Sequence, residues 1–501
     1  MSLRNLTEML KAPKGSLRGK PLAQANPSLI ITSMQYDFGM IGLGTMGRNF
    51  LLNVADKGFS AAGLDLDAEK VASLNKAAGS RKMQATTNQS EFLQMLKTPR
   101  RIMLLVPAGN IVDKVIEGLL PHLDQGDLII DGGNSHYNDT TRRAESLSAA
   151  GIRFLGVGVS GGEEGARRGP SIMPGGDFSA WEDVQPILEA VAAKVDREPC
   201  VAYMGKGAAG HYVKMVHNGI EYGMMQLISE TYDILRRIGG FSNQEIHETF
   251  TKWNQGPLQS FLIEITATIF GQKDDKTGGD LIDAILDKAK QKGTGKWTSQ
   301  SAMDLGVPVP TIDAAVTMRG LSSFWEFRQE AGRKYGSFPT ESIDNKTTFA
   351  IQLEHALLFS FILTYAQGLH LLAVASKEMN LELNLSETAK IWRGGCIIRA
   401  EILEDIRQAF AAQPELENLI ASSVFRGRLK TLLPSVRAVV ETATQNGIPL
   451  LALSSALHYF ESLRAPRLPL NLVQAQRDYF GAHTYERLGG DGEVYHTEWG
   501  K

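Results

Sequence analysis

A strand-like run ends in Gly42-Leu43-Gly44-Thr45-Met46-Gly47 and passes straight into a helical pattern, which leaves few folds open to the chain. Each glycine has its own task. Gly42 permits a tight turn, Gly44 lets the backbone approach a pyrophosphate, and Gly47 allows the helix to pack on the strand. The start of that helix offers free N–H groups and positive potential to phosphates. A second β run, Ser60 to Leu64, closes on Asp65, 18 residues after Gly47. A carboxylate there accepts hydrogen bonds from both adenosine ribose hydroxyls and repels a 2′-phosphate. A dinucleotide-binding turn is the expectation, with a Gly-rich turn that binds nothing as the alternative. Neither Leu66 nor Asp67 supplies an arginine for a 2′-phosphate, so local chemistry favours NAD over NADP.

Two further β runs, Arg101 to Ala108 and Asp127 to Ser135, are near-continuously apolar, as parallel strands buried on both faces must be. Both end in small or polar residues at the edge where open α/β sheets bind ligands. The next run, "RFLGVGVSGG", delivers Ser160, Gly161 and Gly162 into an expected loop, "EEGARRGPSIMPGG". Those residues could cradle a carboxylate with backbone donors or form a plain turn. The β/α alternation stops near Gly210.

From there to about Arg464 only helical periodicity remains. Met204 to Leu235 reads as one long helix after a Gly-rich start. Val213, Val216, Ile220, Met224, Leu227 and Ile228 form its core-facing stripe. Lys214, His217, Asn218, Glu221 and Tyr222 form a second stripe at i, i+3, i+4, i+7 and i+8. Lys214 and Glu221 are two turns apart, roughly 10 Å along the axis. A small polyol acid fits between such a base and acid. A surface charge pattern is the competing reading. Gly219 and Gly223 cost about 1 kcal/mol each relative to alanine, which makes sense if something packs closely here. Further on, Lys292 and Thr294 in "QKGTGKWTSQ" could meet a phosphate monoester, although the spacing is not that of a triphosphate loop. Arg319 suits bidentate oxyanion binding or a structural ion pair equally. A loose echo relates Glu221–Gly240 to Thr364–Leu381.

At 501 residues the chain is too long for one core, and it divides as 1–33, a basic arm; 34–210, a Rossmann-type dinucleotide-binding domain; 211–465, a large all-helical domain; and 466–501, an extended tail. The aromatic, Pro-punctuated tail reads as a segment that packs on a neighbouring subunit. A net charge of −3 gives no reason to expect nucleic acid or an anionic membrane as partner. The longest apolar run, Ala356 to Ala366, suits a buried core helix and not a bilayer span. Cys200 and Cys396 form no metal or redox motif, which fits a reducing, cytoplasmic setting. The arm carries Arg4, Lys11, Lys14, Arg18 and Lys20 against Glu8. It reads either as an organelle transit peptide or as a flexible leader.

The motifs "DGGNSHYNDTTRR", "GVSGGEEGARRGPSIMPGG", "GHYVKMVHNGIEYG", "QKGTGKWT" and "QAQRDYFGAHTYER" together resemble the decarboxylating 6-phosphogluconate dehydrogenase family, from about Gly39 to the end. The resemblance implies Lys214 as general base and Glu221 as general acid. It implies Asn134, Ser160, Gly161, Gly162, His217, Asn218 and Tyr222 as holders of the sugar acid. Lys292, Thr294 and Arg319 would contact the substrate with its phosphate, joined by Arg477 and His483 from the partner's tail in a homodimer. The dinucleotide, NADP or NAD, would lie on Gly42, Leu43, Gly44, Thr45, Met46 and Gly47, with Asp65, Leu66, Asp67, Val106, Pro107, Ala108 and Asn134 beside it. NADP-using members carry Asn-Arg-Thr where this chain has Asp65-Leu66-Asp67, and usually a lysine where it has Pro107. Both departures remove positive charge from the adenosine side. Two rival readings are a β-hydroxyacid dehydrogenase that does not decarboxylate and a non-catalytic NAD sensor. Lys292, Arg319 and the tail argue against the first, and retention of both Lys214 and Glu221 argues against the second. His217 and Glu221 have no carboxylate cluster around them, so no metal is expected.

Overall fold

The computed structural model describes residues 35–336 and 343–500. The expectations for the basic arm fall on residues outside that range. Seven strands form one sheet in the order β3-β2-β1-β4-β5-β6-β7. They are β1 Phe38–Ile41, β2 Ala61–Leu64, β3 Met83–Thr86, β4 Arg101–Leu104, β5 Leu128–Asp131, β6 Arg153–Ser160 and β7 Ser171–Gly176. The first six pair in parallel, and β7 runs antiparallel on the edge of β6. Every residue of β1, β2 and β5 is buried, as helices on both faces require. Strand order reverses between β1 and β4, which puts the Gly42 turn at the crevice where such sheets bind ligands.

Three expectations need correction. The apolar runs of β4 and β5 stop being strand at Leu104 and Asp131. Their last residues turn instead, because the chain there must leave the sheet to line the crevice. The segment after Gly162 is not a loop: it forms a short helix, Gly162–Arg168, and then β7. Its glycines masked a strand that packs against "RFLGVGVS" residue for residue, Ser160 opposite Ser171. The tail is also more regular than its prolines imply, with a helix at Leu470–Gly481 and a short hairpin of Tyr485–Glu486 with Val494–Tyr495.

The helical half is built around one 29-residue helix, Ala209–Arg237. Its predicted core stripe is buried throughout, from Val213 at 0% exposure to Ile228 at 7%. Burying each such side chain is worth roughly 1.5–3 kcal/mol. The first turns of this helix lie directly on the sheet. A Cβ at Gly210 would sit 2.2 Å from the Gly156 carbonyl oxygen, and one at Gly158 would sit 2.4 Å from Lys214 Cβ. Close approach of β6 therefore sets where Lys214 stands. A second long helix, Lys346–Glu378, contains the Ala356–Ala366 run. It is long and apolar enough to cross a membrane, but most of it is buried inside the protein. It crosses the central helix at reciprocal small residues, with Gly223 against Thr364 and Gly368 against Ile220.

Candidate active site

The cofactor half of the site begins at the Gly42 turn. Gly42 has φ 98°, a left-handed conformation that favours glycine. A Cβ on Gly47 would lie 1.9 Å from the Gly42 carbonyl oxygen, so only glycine lets the helix Thr45–Asp56 start so close to β1. A Cβ on Gly44 would meet no protein atom within 4 Å, so that side of the turn is open for a ligand. No side chain caps the helix at Gly44, which leaves its first N–H groups available to phosphates. Leu43 N donates to Asp65 Oδ2 at 2.7 Å, which ties the turn to the end of β2. Asp67 N donates to Asp65 Oδ1 at 3.0 Å, and Lys70 Nζ lies 3.5 Å from the same oxygen. Asp67 caps the helix Ala68–Ala78 through the N–H groups of Glu69 and Lys70. Leu66 is exposed, Thr45, Pro107 and Ala108 are exposed, and Met46 and Val106 are half-buried around the crevice. These residues and turns fit a dinucleotide.

Asn134 projects from the turn after β5 as an exposed residue. The turn itself is fastened from below. Buried Asp131 accepts from Gly133 N at 3.1 Å, Ser135 Oγ at 2.6 Å and Arg143 Nη1 at 3.1 Å. Arg143 also reaches Asp113 at 2.7 Å and the Gly109 carbonyl at 3.1 Å. One buried ion pair thus fixes two crevice loops at once.

Across the crevice stands the polar stripe of the central helix. Lys214, His217, Asn218 and Tyr222 are all buried, and Glu221 is half-buried. A cleft is lined by Asn134, Ser135, Lys214, Asn218 and Thr294, with His211, Met215 and Trp297. His217 Nδ1 lies 3.1 Å from Asn218 Oδ1 and 3.5 Å from Lys214 Nζ, and its Nε2 lies 3.4 Å from Ser160 Oγ. Asn218 Oδ1 can only accept, so the network assigns the proton to Nδ1 and leaves Nε2 to accept from Ser160. Gly161 has φ 119°, and a Cβ on it would sit 2.5 Å from the Gly395 carbonyl oxygen; Gly162 faces open space.

Burial tunes the two end groups in opposite directions. It pulls the Lys214 amine below its ordinary 10.5, against the opposing pull of Glu221 and Cys396. It pushes the Glu221 carboxyl above its ordinary 4.5, against Lys214 and Arg319. His217 falls well below its usual value, first from burial and then from Lys214 beside it. A base wants a neutral amine and an acid wants a protonated carboxyl, so both shifts serve proton transfer.

The far end of the stripe suits an anion. Arg319 stacks its guanidinium 3.4 Å from the Tyr222 ring centroid and reaches the Lys290 carbonyl at 3.4 Å. The backbone at Gly295 also packs on Tyr222, where a Cβ would come within 2.4 Å of the ring. The helix Thr294–Asp304 starts at Gly293 with no side-chain cap, and exposed Lys292 stands beside it. Arg477 and His483 do not join this group within the chain. Both are exposed on the tail, with Arg477 bonded to Gln474 and His483 packed edge-on against Phe480.

Residues 37–205 match the family described as the NAD binding domain of 6-phosphogluconate dehydrogenase, and residues 210–499 match its C-terminal domain. The chain belongs to the 6-phosphogluconate dehydrogenase family. It is 51% identical over 464 residues to the NADP(+)-dependent, decarboxylating 6-phosphogluconate dehydrogenase of Bacillus subtilis (strain 168), covering 92% of this chain and 99% of that one. The decarboxylating 6-phosphogluconate dehydrogenase of Escherichia coli (strain K12) is 48% identical, covering 92% of this chain and 98% of that one. The Plasmodium falciparum 6-phosphogluconate dehydrogenase, solved alone, with NADP+ and with 6-phosphogluconate, superposes with a TM-score of 0.90 at 46% identity. That match covers 92% of this chain and 100% of the other.

Placed on this 6-phosphogluconate dehydrogenase fold, three neighbours of the stripe escaped sequence reasoning. Trp392 sits edge-on to His217 at 5.6 Å, and Cys396, its thiol pushed up to about 12 by burial, donates to the Trp392 carbonyl at 3.0 Å. Trp392 ends the helix Leu385–Trp392 and Cys396 lies in the bend after it, both distant in sequence and without periodic signal. His211 was visible in principle, one turn before Lys214 on the same stripe.

Proposed function

We propose that this chain oxidises and decarboxylates 6-phospho-D-gluconate to D-ribulose 5-phosphate and CO2, using a nicotinamide dinucleotide. The observation that carries it is the placement of Lys214 and Glu221 two turns apart on one helix face with His217 and Asn218 between them, where burial pulls the amine down and pushes the carboxyl up in pKa. Neutral Lys214 takes the proton of the C3 hydroxyl as the C3 hydride departs. Bound nicotinamide supplies the hydride acceptor. The product is a β-keto acid, and its C1 carboxylate leaves as CO2 while protonated Lys214 donates to the C3 carbonyl oxygen and stabilises the developing enolate. Glu221 then protonates the enediol carbon that carried the carboxylate, while neutral Lys214 takes back the C3 hydroxyl proton as the ketone forms. Ser160, His217 and Asn218 supply hydrogen bonds to the sugar acid, and Asn134 reaches it from the Rossmann side. Lys292, Thr294, Arg319 and Tyr222 hold the phosphate end, with Arg477 and His483 of a second copy closing the site in a homodimer. Exposed Leu470, Leu472, Val473 and Phe480 on the tail give that second copy an apolar seat.

NAD serves at least as well as NADP in this reading. Asp65 presents a carboxylate at the ribose position, Leu66 offers no cation, and Asp67 already caps the helix start that would otherwise attract a phosphate. Steady-state kinetics with 6-phosphogluconate and each dinucleotide, following reduced nicotinamide and released CO2, test both parts. Oxidation without CO2 overturns the decarboxylase, and a strong NADP preference overturns the cofactor reading.

A further inference from the structure

His211 is the one imidazole of the cleft that the chemistry above leaves unused. It is 2% exposed and lines the cleft floor between the Asn134 turn and Lys214. Its Nδ1 lies 2.6 Å from Thr140 Oγ1, on the helix Tyr137–Ala149 that follows the turn. Its Nε2 is buried and closes no hydrogen bond, and the backbone of Asp131, which ends β5, and of Gly133, in the turn after it, lies close to the ring. Carbonyl oxygens only accept, so the arrangement that avoids facing lone pairs keeps the proton on Nε2. The Thr140 hydroxyl, 3.2 Å from the His136 carbonyl, then turns its one proton to the nearer Nδ1. A strand residue with a side chain could not coexist with this ring: a Cβ at Gly156 would sit 2.9 Å from Nδ1 and 2.6 Å from Thr140 Cγ2. The fold therefore makes room for an imidazole where an apolar side chain would pack more cheaply.

We propose that His211 is a positioning residue for the reaction, holding the Asn134 turn of the Rossmann domain in register with Lys214 on the central helix. The proposal rests on the roles given to Asn134 and Lys214 above. His211 bonds Thr140 through Nδ1 and lines the cleft beside Asn134 and Ser135, while its backbone is one helical turn from Lys214. The charged groups around the ring are Asp131 at the end of β5, Arg143 on the helix Tyr137–Ala149 and Lys214 from its own helix. Asp131 and Arg143 are paired at 3.1 Å and largely cancel. Burial holds the ring below its ordinary value of 6.5, so it adds no charge beside the base. Nothing in this role moves a proton to or from substrate.

Two near-isosteres separate the ring edges. In His211→Gln the amide nitrogen falls near the Nε2 position and keeps a donor toward the turn carbonyls. In His211→Asn the amide falls near Nδ1 and keeps only the Thr140 contact. The measurements are the KM for 6-phosphogluconate, calorimetric Kd values for NAD and NADP, the pH profile of kcat, and the thermal midpoint. His211→Asn is expected to raise KM and the dinucleotide Kd by about tenfold, the scale of one lost positioning contact, with His211→Gln recovering to within about threefold. The acid limb of the kcat profile stays where it is in both. Equal behaviour of the two variants overturns the proposal, as does a drop in thermal midpoint with KM and Kd unchanged. A displaced acid limb overturns it in favour of direct proton transfer. If His211→Asn does not fold, Thr140→Val cuts the chain from the other side. It should raise the same constants while leaving Lys214 chemistry in place, and unchanged constants there overturn the coupling. A wild-type enzyme that releases no CO2 would defeat the functional reading itself, and the Kd comparison still decides the role of His211.

Discussion

The Lys214 face and the Asp65 turn handle charge in opposite ways. On the Lys214 face of the central helix, Lys214, His217 and Glu221 are sunk among apolar neighbours, and burial is the first cause of the shift each shows. At the turn we assign to the adenosine, Asp65 is held by two backbone N–H groups and Lys70, all within a short stretch of chain around β2 and the Gly42 turn. Chemistry made by burial depends on the whole helical domain. Chemistry made by local contacts depends on a few residues and can change with them.

The comparison breaks first at Lys214. Lys214→Met should lower kcat by at least about a thousandfold, near the upper range for loss of a general base. The same variant should be more stable than wild type. Burial lowers the folded pKa below 10.5, so stability is full above that pH and is lost as pH falls toward the folded value. Methionine has no such loss, and the gap in thermal midpoint should widen from alkaline to neutral pH. Equal midpoints across that range would show that the amine is solvated and the burial argument wrong. Glu221→Gln should cost about a hundredfold in kcat and remove the basic limb of the pH profile. That limb belongs to a carboxyl whose pKa burial raises, and whose protonated form is the active one. A basic limb that survives in the amide variant assigns the acid elsewhere.

The Gly42 turn gives a sharper, smaller contrast within one motif. Gly47→Ala forces a methyl to within 1.9 Å of a backbone oxygen and should cost about 1–3 kcal/mol of stability. Gly44→Ala meets no protein atom and should spare stability while weakening NAD binding, measured by calorimetry. Equal stability losses in the two variants would remove the case for an open phosphate side at Gly44.

The same division explains what was legible in the sequence. Gly42, Gly44, Gly47 and Asp65 act through neighbours a few residues away, so spacing alone exposed them. The stripe from Lys214 to Tyr222 was legible as geometry, because a helix fixes which residues share a face. What made it chemical was not legible: Trp392, Cys396 and the Gly395 carbonyl arrive from another part of the chain, and periodicity carries no trace of them. β7 was hidden because its glycines and proline read as loop, whereas pairing with β6 along its whole length overrides that preference. The tail helix was hidden for a similar reason, since Pro466 and Pro469 punctuate the approach to it and not its interior.

The smallest effect lies at the adenosine end. Asp65→Asn combined with Leu66→Arg introduces a cation and removes one of the two carboxylates at the ribose position. The asparagine carbonyl can still accept from Leu43 N, so the turn keeps the bond that ties it to β2. Asp67 stays as the helix cap and continues to occupy part of the phosphate position. The gain should therefore be partial, a rise of about tenfold in the NADP-to-NAD ratio of kcat/KM, the scale of one charge-assisted contact near the surface. Adding Asp67→Thr keeps a capping oxygen, removes the second carboxylate, and should raise the ratio again. If the double variant leaves the ratio unmoved, cofactor choice is not set at this turn, and the contrast between a burial-made catalytic face and a locally made specificity end fails at the point where it is easiest to change.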